Sequence, residues 1–184
     1  IDWAKRFDRD GVLTSQIGGV EAALDDPNWS KFIKSLWDDI DEGVRLKIFE
    51  NFIVNSALIG MARQQKVKDE HGCSVPWAIL MDPTSACNLH CTGCWAAEYG
   101  NKLNLTYEEM DDIVNQANEM GTYMFLFTGG EPMVRKKDII RLCEAHNDCV
   151  FSAFTNGTLI DEEFADEMLR VKNFVPAISV EGFE

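Results

Sequence analysis

Cys87, Cys91 and Cys94 fall within eight residues, in the stretch CNLHCTGC, with gaps of three and two residues. Thiolates are soft ligands, and three so close together suit zinc or an iron–sulfur cluster. A structural zinc needs a fourth closed ligand. Cys73 and His90 are the candidates, but Cys73 precedes the strand that leads into the loop, and His90 is the immediate neighbour of Cys91. Three cysteines can instead hold three irons of a [4Fe-4S] cluster and leave the fourth open to an outside ligand. The spacing favours a cluster over zinc. The other cysteines, Cys73, Cys143 and Cys149, read as plain core or surface residues, because a free cysteine behaves mostly as a small apolar side chain.

The elements that must position this loop alternate. PWAILM (76–81) is a short continuous apolar run, the mark of a strand buried on both faces. After the cysteine loop, Thr106 and Glu109 form a capping box, and Met110, Ile113, Val114 and Ala117 make the apolar stripe of a helix that Gly121 ends. TYMFLF (122–127) is a second strand, followed by TGGEP and a helix over 137–146 with Ile139, Leu142, Cys143 and His146 on one face. CVFSAF (149–154) is a third, followed by TNGT and a helix over 162–172 burying Phe164, Met168 and Leu169. FVPAISV (174–180) is a fourth, although Pro176 weakens it.

The order β-α-β-α-β-α-β with short connections predicts parallel strands and right-handed crossovers. All strand C-terminal ends then lie on one rim, where binding groups gather. CNLHCTGC, TGGEP, TNGT and the final EG each follow a strand, so four loops distant in sequence converge on one site.

Residues 1–72 read as a helical N-terminal region. Trp29, Phe32, Ile33, Leu36, Trp37 and Ile40 recur at helical spacing. So do Ile48, Phe49, Phe52, Ile53, Ala57 and Met61 in a helix over 44–68, with Gly72 as a stop. This second face is expected to pack on the domain that follows. An amphipathic contact with a membrane surface or a lipidic substrate is the sharper alternative.

Cys87-x3-Cys91-x2-Cys94 after a first strand, with GGEP after the second, resembles the radical S-adenosylmethionine (radical SAM) superfamily. The resemblance covers roughly residues 76–184 and implies a partial (β/α) barrel of about six parallel strands, of which four are present. It implies that Cys87, Cys91 and Cys94 ligate three irons of a [4Fe-4S] cluster whose fourth iron takes the amino and carboxylate groups of S-adenosylmethionine. Gly129, Gly130 and Glu131 are implied to meet the methionine amino group, and Asn156 and Ser179 the ribose or the methionyl carboxylate. Reductive cleavage then yields a 5′-deoxyadenosyl radical that acts on a substrate, here a lipid, an isoprenoid or a peptide. An electron donor such as flavodoxin or ferredoxin is implied as partner, with a cytoplasmic, anaerobic setting. Many members carry an aromatic residue before the third cysteine. Here Gly93 stands there and Trp95 follows the motif, so the adenine contact is expected from backbone or from Trp95. The Gly93 variant is faintly similar to the loop of the radical SAM enzymes of hopanoid biosynthesis.

The other class of reading is a non-catalytic zinc or iron–sulfur module, for which GGEP has no use. Asp82, at the end of the first strand, either faces the site or caps the loop. Arg135, Lys136 and Lys137 read as a solvated basic turn. The 184 residues carry a net charge of −14, which repels phosphate backbones and makes nucleic acid an unfavourable partner. No apolar run approaches the roughly 20 residues of a membrane span. Clustered cysteines without a visible secretion signal point to a reducing compartment. The chain begins at Ile1 and stops after four strands, which is expected of a fragment that divides into 1–72 and 73–184.

Overall fold

The computed structural model describes residues 26–94, 96, 100, 102–180 and 182. The chain divides between Arg45 and Leu46 into two units, so the boundary expected near residue 72 lies inside the second. In the first, helix α1 (Pro27–Asp39) starts where the Asp26 carboxylate accepts from the backbone N–H groups of Asn28 and Trp29. Arg45, early in α2 (Glu42–Phe49), donates to the carbonyls of Trp37 and Ile40 and stands 5.3 Å from the Trp37 ring centroid.

The second unit carries one four-stranded parallel sheet in the order β1-β2-β3-β4: β1 Ile79–Thr84, β2 Met124–Gly129, β3 Val150–Thr155 and β4 Phe174–Ile178. Helices α4 (Tyr107–Met120), α5 (Lys136–Ala145) and α6 (Glu162–Val171) connect the strands. This is the α/β architecture of a partial barrel. Met81, Phe125, Phe127, Phe151 and Ala153 are buried on the helix side. Phe151 stacks with Phe125 at 5.5 Å and with Phe127 at 5.9 Å. On the other face, strand register places Leu80, Leu126, Ser152 and Val175 in one layer. Asp82, Thr128, Phe154 and Ala177 form the next layer, just below the C-terminal rim.

α4 has the expected capping box, apolar stripe and left-handed Gly121 stop. Three elements differ from expectation. β1 begins at Ile79 rather than Pro76 and leaves Trp77 exposed. It runs on through Pro83, which a register shift between Met81 and Thr84 accommodates. Pro176 sits within β4 without breaking it. Ser179 N donates to the Thr155 carbonyl, so the period-two alternation turns the donors of 175, 177 and 179 to β3 and the donor-less nitrogen of Pro176 to the open edge. In α6, Phe164, Met168 and Val171 face the core at i, i+4 and i+7, and Leu169, one position round, is 49% exposed rather than buried.

The largest correction concerns residues 44–71. The single helix expected there is α2, then a π-helix over Glu50–Gly60, then α3 (Met61–His71), which ends at left-handed Gly72. The wider π turn moves the docked face off the apolar stripe. Phe49, Phe52 and Met61 are exposed, whereas Asn51, Ser56 and Gly60 are buried. Asn51 Nδ2 donates to the carbonyls of Asn147 (2.8 Å) and Cys149 (2.7 Å), and Asn55 Nδ2 to that of Asp148 (3.0 Å). Arg63 and Gln64 donate to the carbonyls of Asn118 and Gly121. Backbones of Gly60 and Gly121 approach so closely that a Cβ on Gly60 would lie 2.4 Å from the Gly121 oxygen. These loops precede β2 and β3. The segment therefore closes the N-terminal rim, opposite the cysteine loop.

Candidate cluster and cofactor site

β1 ends in buried Thr84, and two contacts turn the chain into the cysteine loop. Thr84 Oγ1 accepts from Ala86 N (3.0 Å) and donates to Asn104 Oδ1 (2.6 Å). Ser85 and Leu103 exchange hydrogen bonds: Ser85 N to the Leu103 carbonyl and Leu103 N to Ser85 Oγ. Arg135 is not a solvated charge. Its Nη1 donates to the carbonyls of Pro83 (3.1 Å) and Leu105 (2.7 Å), and Asp138 pairs with the rest of the guanidinium at 2.8 Å. The planar fork spans both segments that flank the loop. Lys136 is likewise engaged, with the Leu159 carbonyl and Asp161.

The diglycine turn packs directly on this loop. Gly130 N donates to the Thr84 carbonyl (3.0 Å) and Glu131 N to the Ala86 carbonyl (2.8 Å). Gly129 has φ +99, and a Cβ there would lie 2.7 Å from the Thr84 oxygen. A Cβ at Gly130 would lie 2.2 Å from the Ala86 oxygen, so no larger residue fits without moving the loop. Here two strand ends are held at backbone-to-backbone distance.

Glu131 is only 2% exposed. Its Oε1 accepts from Met133 N (2.9 Å) and Thr155 Oγ1 (2.6 Å), and its Oε2 from Asn156 N (2.9 Å). The carboxyl thus ties the end of β2 to the end of β3 and caps the short 3-10 helix Pro132–Arg135. Asp82, on the exposed side of the turn, is the other carboxylate beside the diglycine. Asp82 packs against Gly129, and a cavity of about 430 Å³ opens there, lined also by Ser85, Lys102 and Leu103.

The Asn156 side chain bonds to Asn88 and Thr158. Ser179 follows β4 at the rim, exposed, with its backbone N on the Thr155 carbonyl. Gly93 is exposed with φ +76, in the turn where Cys94 N donates to the Cys91 carbonyl (3.3 Å). Trp95 lies outside the described residues.

All six cysteines are free thiols. Cys87 is half-buried and its Sγ accepts from Leu89 N at 3.4 Å, while Cys91 and Cys94 are exposed. Among the described residues, no three His, Cys, Asp or Glu side chains are gathered around a common point. The donor set fits a cluster: three soft thiols, none in a disulfide, stand on one loop. Burial pushes the Cys143 and Cys149 thiols up, and both are packed in the hydrophobic core. Asn88, Thr155 and Thr158 are rim residues to which the sequence reading gave no individual role, and Arg135 is one that it read as part of a solvated basic turn. TNGT was legible as a rim loop, but its partner 70 residues upstream was not.

A parallel βα sheet with a three-thiol loop after its first strand, and a diglycine turn packed on that loop, defines an α/β protein with its candidate site at the C-terminal rim. Residues 81–184, more than half of the chain, match the Radical SAM superfamily, and the chain belongs to it. That superfamily uses a [4Fe-4S] cluster and S-adenosylmethionine. Over 110 residues the chain is 33% identical to the Fe-coproporphyrin III synthase of Methanosarcina barkeri, covering 56% of this chain and 27% of that one. Over 126 residues it is 32% identical to a cysteine-type anaerobic sulfatase-maturating enzyme of Clostridium perfringens, covering 58% and 33%. The crystal structure of Streptococcus suis SuiB bound to S-adenosylmethionine matches with a TM-score of 0.50 and 25% identity, over 66% of this chain and 27% of that one. The chain thus spans about a quarter to a third of the length of these relatives.

Proposed function

We propose that this chain is the cluster- and S-adenosylmethionine-binding part of a radical SAM enzyme. The observation that carries the reading is the backbone clamp between Gly129-Gly130-Glu131 and the loop bearing Cys87, Cys91 and Cys94. A zinc or electron-carrier module needs the thiols but has no use for that clamp. Cys87, Cys91 and Cys94 would hold the [4Fe-4S] cluster, and Gly129 and Gly130 would offer backbone to the methionine amino group. When bound, the two groups supply reductive C–S cleavage and a 5′-deoxyadenosyl radical. The protein's own part is to orient and to exclude water. Glu131 and Arg135 fix the loops, Asp82 offers a carboxylate beside Gly129, and the layer of Thr128, Phe154 and Ala177 faces what lies below. A substrate with an apolar body and a hydrogen-bond donor suits that layer, which accommodates both a lipid and a peptide.

The supply of electrons by a flavodoxin or ferredoxin, and a cytoplasmic location, belong to the same reading. The free state of all six cysteines supports the reducing compartment. Membrane contact through the N-terminal helices has the exposed Phe49, Phe52, Leu58, Ile59 and Met61 in its favour. No described helix is long and apolar enough to cross a membrane. Anaerobic reconstitution of the full-length protein tests the reading. It should take up iron and sulfide, and dithionite with S-adenosylmethionine should then release 5′-deoxyadenosine. Cys91→Ala should lose the cluster. One zinc per chain with no uptake of iron would sink the proposal.

A further inference from the structure

Asn88, next to Cys87, has no role in the reading above, and the side chain of Asn156 is already occupied. The two close a ring with Thr158. Asn88 Nδ2 donates to Thr158 Oγ1 (2.8 Å), Thr158 Oγ1 donates to Asn156 Oδ1 (2.6 Å), and Asn156 Nδ2 donates to Asn88 Oδ1 (3.0 Å). Each side chain gives one hydrogen bond and takes one around the ring, so both amide orientations are mutually consistent. Thr158 N adds a further donation to Asn156 Oδ1 (2.9 Å).

The ring has an anchor. Asn156 N is held by Glu131 Oε2, and Glu131 N holds the Ala86 carbonyl. Cys87 therefore stands between Ala86, bonded directly to the buried glutamate, and Asn88, linked to it through Asn156. Residues 89–94 contrast with this. Among the described residues their hydrogen bonds are Leu89 N to Cys87 Sγ and Cys94 N to the Cys91 carbonyl, both inside the loop.

We propose, resting on the radical SAM reading, that the Asn88–Asn156–Thr158 ring is a latch. It fixes the Cys87 side of the cluster loop against the loop after β3, and Asn88 is a positioning residue that acts through Cys87. The cluster is then located by one preset thiol, with Cys91 and Cys94 closing on it. Its distance from the Gly129-Gly130 turn is set by the latch rather than by the thiols alone. Breaking the ring leaves all three ligands in place but moves the cluster relative to that turn. Iron should stay while the answer to S-adenosylmethionine changes. Outer partners of metal ligands commonly matter by 10–100-fold, and the lower end suits a solvent-exposed ring.

The test uses the full-length protein, reconstituted anaerobically, as wild type, Asn88→Ala, Thr158→Val, Thr158→Ser and the Asn88→Ala/Thr158→Val double variant. Iron content, S-adenosylmethionine affinity and the electron paramagnetic resonance spectrum of the reduced cluster, with and without S-adenosylmethionine, are read. Both single variants should keep their iron, bind S-adenosylmethionine about 10-fold more weakly, and show an altered spectral response to it. Thr158→Ser should restore the wild-type response, and the double variant should be no worse than either single, because one ring is broken once. Wild-type affinity and spectra in both single variants overturn the latch and leave the functional reading standing. Loss of iron in Asn88→Ala with an unaffected Thr158→Val also overturns it, since the ring then does not act as a unit. A wild type that takes up no iron fails the functional reading itself, and the latch with it.

Discussion

The two rims of the sheet use the same device to opposite ends. At the N-terminal rim, Asn51, Asn55, Gln64 and Asn173 donate to loop carbonyls, and Asn51 and Asn173 meet on the Cys149 carbonyl at 2.7 and 3.2 Å. Asn51 and Asn173 are fully buried. At the C-terminal rim, Glu131, Arg135 and Asn88 likewise tie loops together. There, however, Cys91, Cys94, Asp82 and Ser179 are left exposed and without a side-chain hydrogen bond among the described residues. One rim buries its amides against loop carbonyls and gains stability, with Asn173 Oδ1 the one buried side-chain oxygen or nitrogen without a partner among the described residues. The other uses its satisfied groups to hold a few unsatisfied ones in place, which is what a binding site requires.

The most damaging way to probe this contrast is at the diglycine turn. Gly130→Ala puts a Cβ 2.2 Å from the Ala86 oxygen, so either the turn or the cysteine loop must shift by the order of an ångström. Displacements of that size cost about 100-fold in rate. Release of 5′-deoxyadenosine should fall by about that factor, with little change in thermal unfolding. A variant of full activity would show that the clamp does not locate the site. Asn51→Ala should do the reverse. It strands the Asn147 carbonyl, leaves that of Cys149 to Asn173 alone, and should lower unfolding free energy by about 1–3 kcal/mol, with S-adenosylmethionine affinity unchanged. A loss of affinity would mean that the two rims are coupled.

The same contrast explains what the sequence could and could not reveal. The parallel βα order, the cap of α4, and the position of the cysteine loop and diglycine turn at strand ends were legible. Each follows from short-range pattern: an apolar run, a Thr106/Glu109 pair, a punctuating loop. The docked face of residues 50–60 was not. A 3.6-residue period picks out Phe49, Phe52 and Met61, whereas the π-helix buries Asn51, Ser56 and Gly60. Residues joined across the chain were equally hidden. Asn88 and Thr158 are 70 residues apart, and Asn51 and Cys149 are 98 apart. No local pattern marks an asparagine that will find a particular loop.

Thiol chemistry sharpens the comparison at moderate cost. In metal-free folded protein, Cys91 and Cys94 are exposed, while burial pushes the thiols of Cys143 and Cys149 up, the latter aided by neighbouring Asp148. Only the thiolate is nucleophilic, so these two should stay protonated and unreactive near neutral pH. Iodoacetamide followed by peptide mass mapping should modify Cys73, Cys91 and Cys94 first, Cys87 next, and Cys143 and Cys149 only on unfolding. Cluster reconstitution should protect Cys87, Cys91 and Cys94 and leave exposed Cys73 reactive. Equal reactivity of all six would erase the difference between a free loop and a packed core.

The smallest expected effect lies where the C-terminal rim begins its first crossover. The Glu109 carboxylate accepts from Thr106 N at 2.7 Å and from Thr106 Oγ1 at 3.1 Å, and these bonds hold its pKa below the ordinary 4.5. Because the folded value is depressed, the cap contributes above the unfolded value and loses that contribution as pH falls through the folded one. Leu105, one residue before the cap, is tied by its N–H to the Pro83 carbonyl and by its carbonyl to Arg135, so fraying of this end should reach the entrance of the cysteine loop. Hydrogen exchange at the amides of Thr106 and Glu109 should therefore quicken as pH falls through the depressed Glu109 value, after correction for intrinsic rates, more than at Gly121 at the other end of α4. Glu109→Gln keeps an acceptor but loses the charge, and should show the faster exchange already at neutral pH, with no further acid step. If both ends of the helix loosen together instead, the cap belongs to the global stability of the sheet rather than to the strapping of its functional rim.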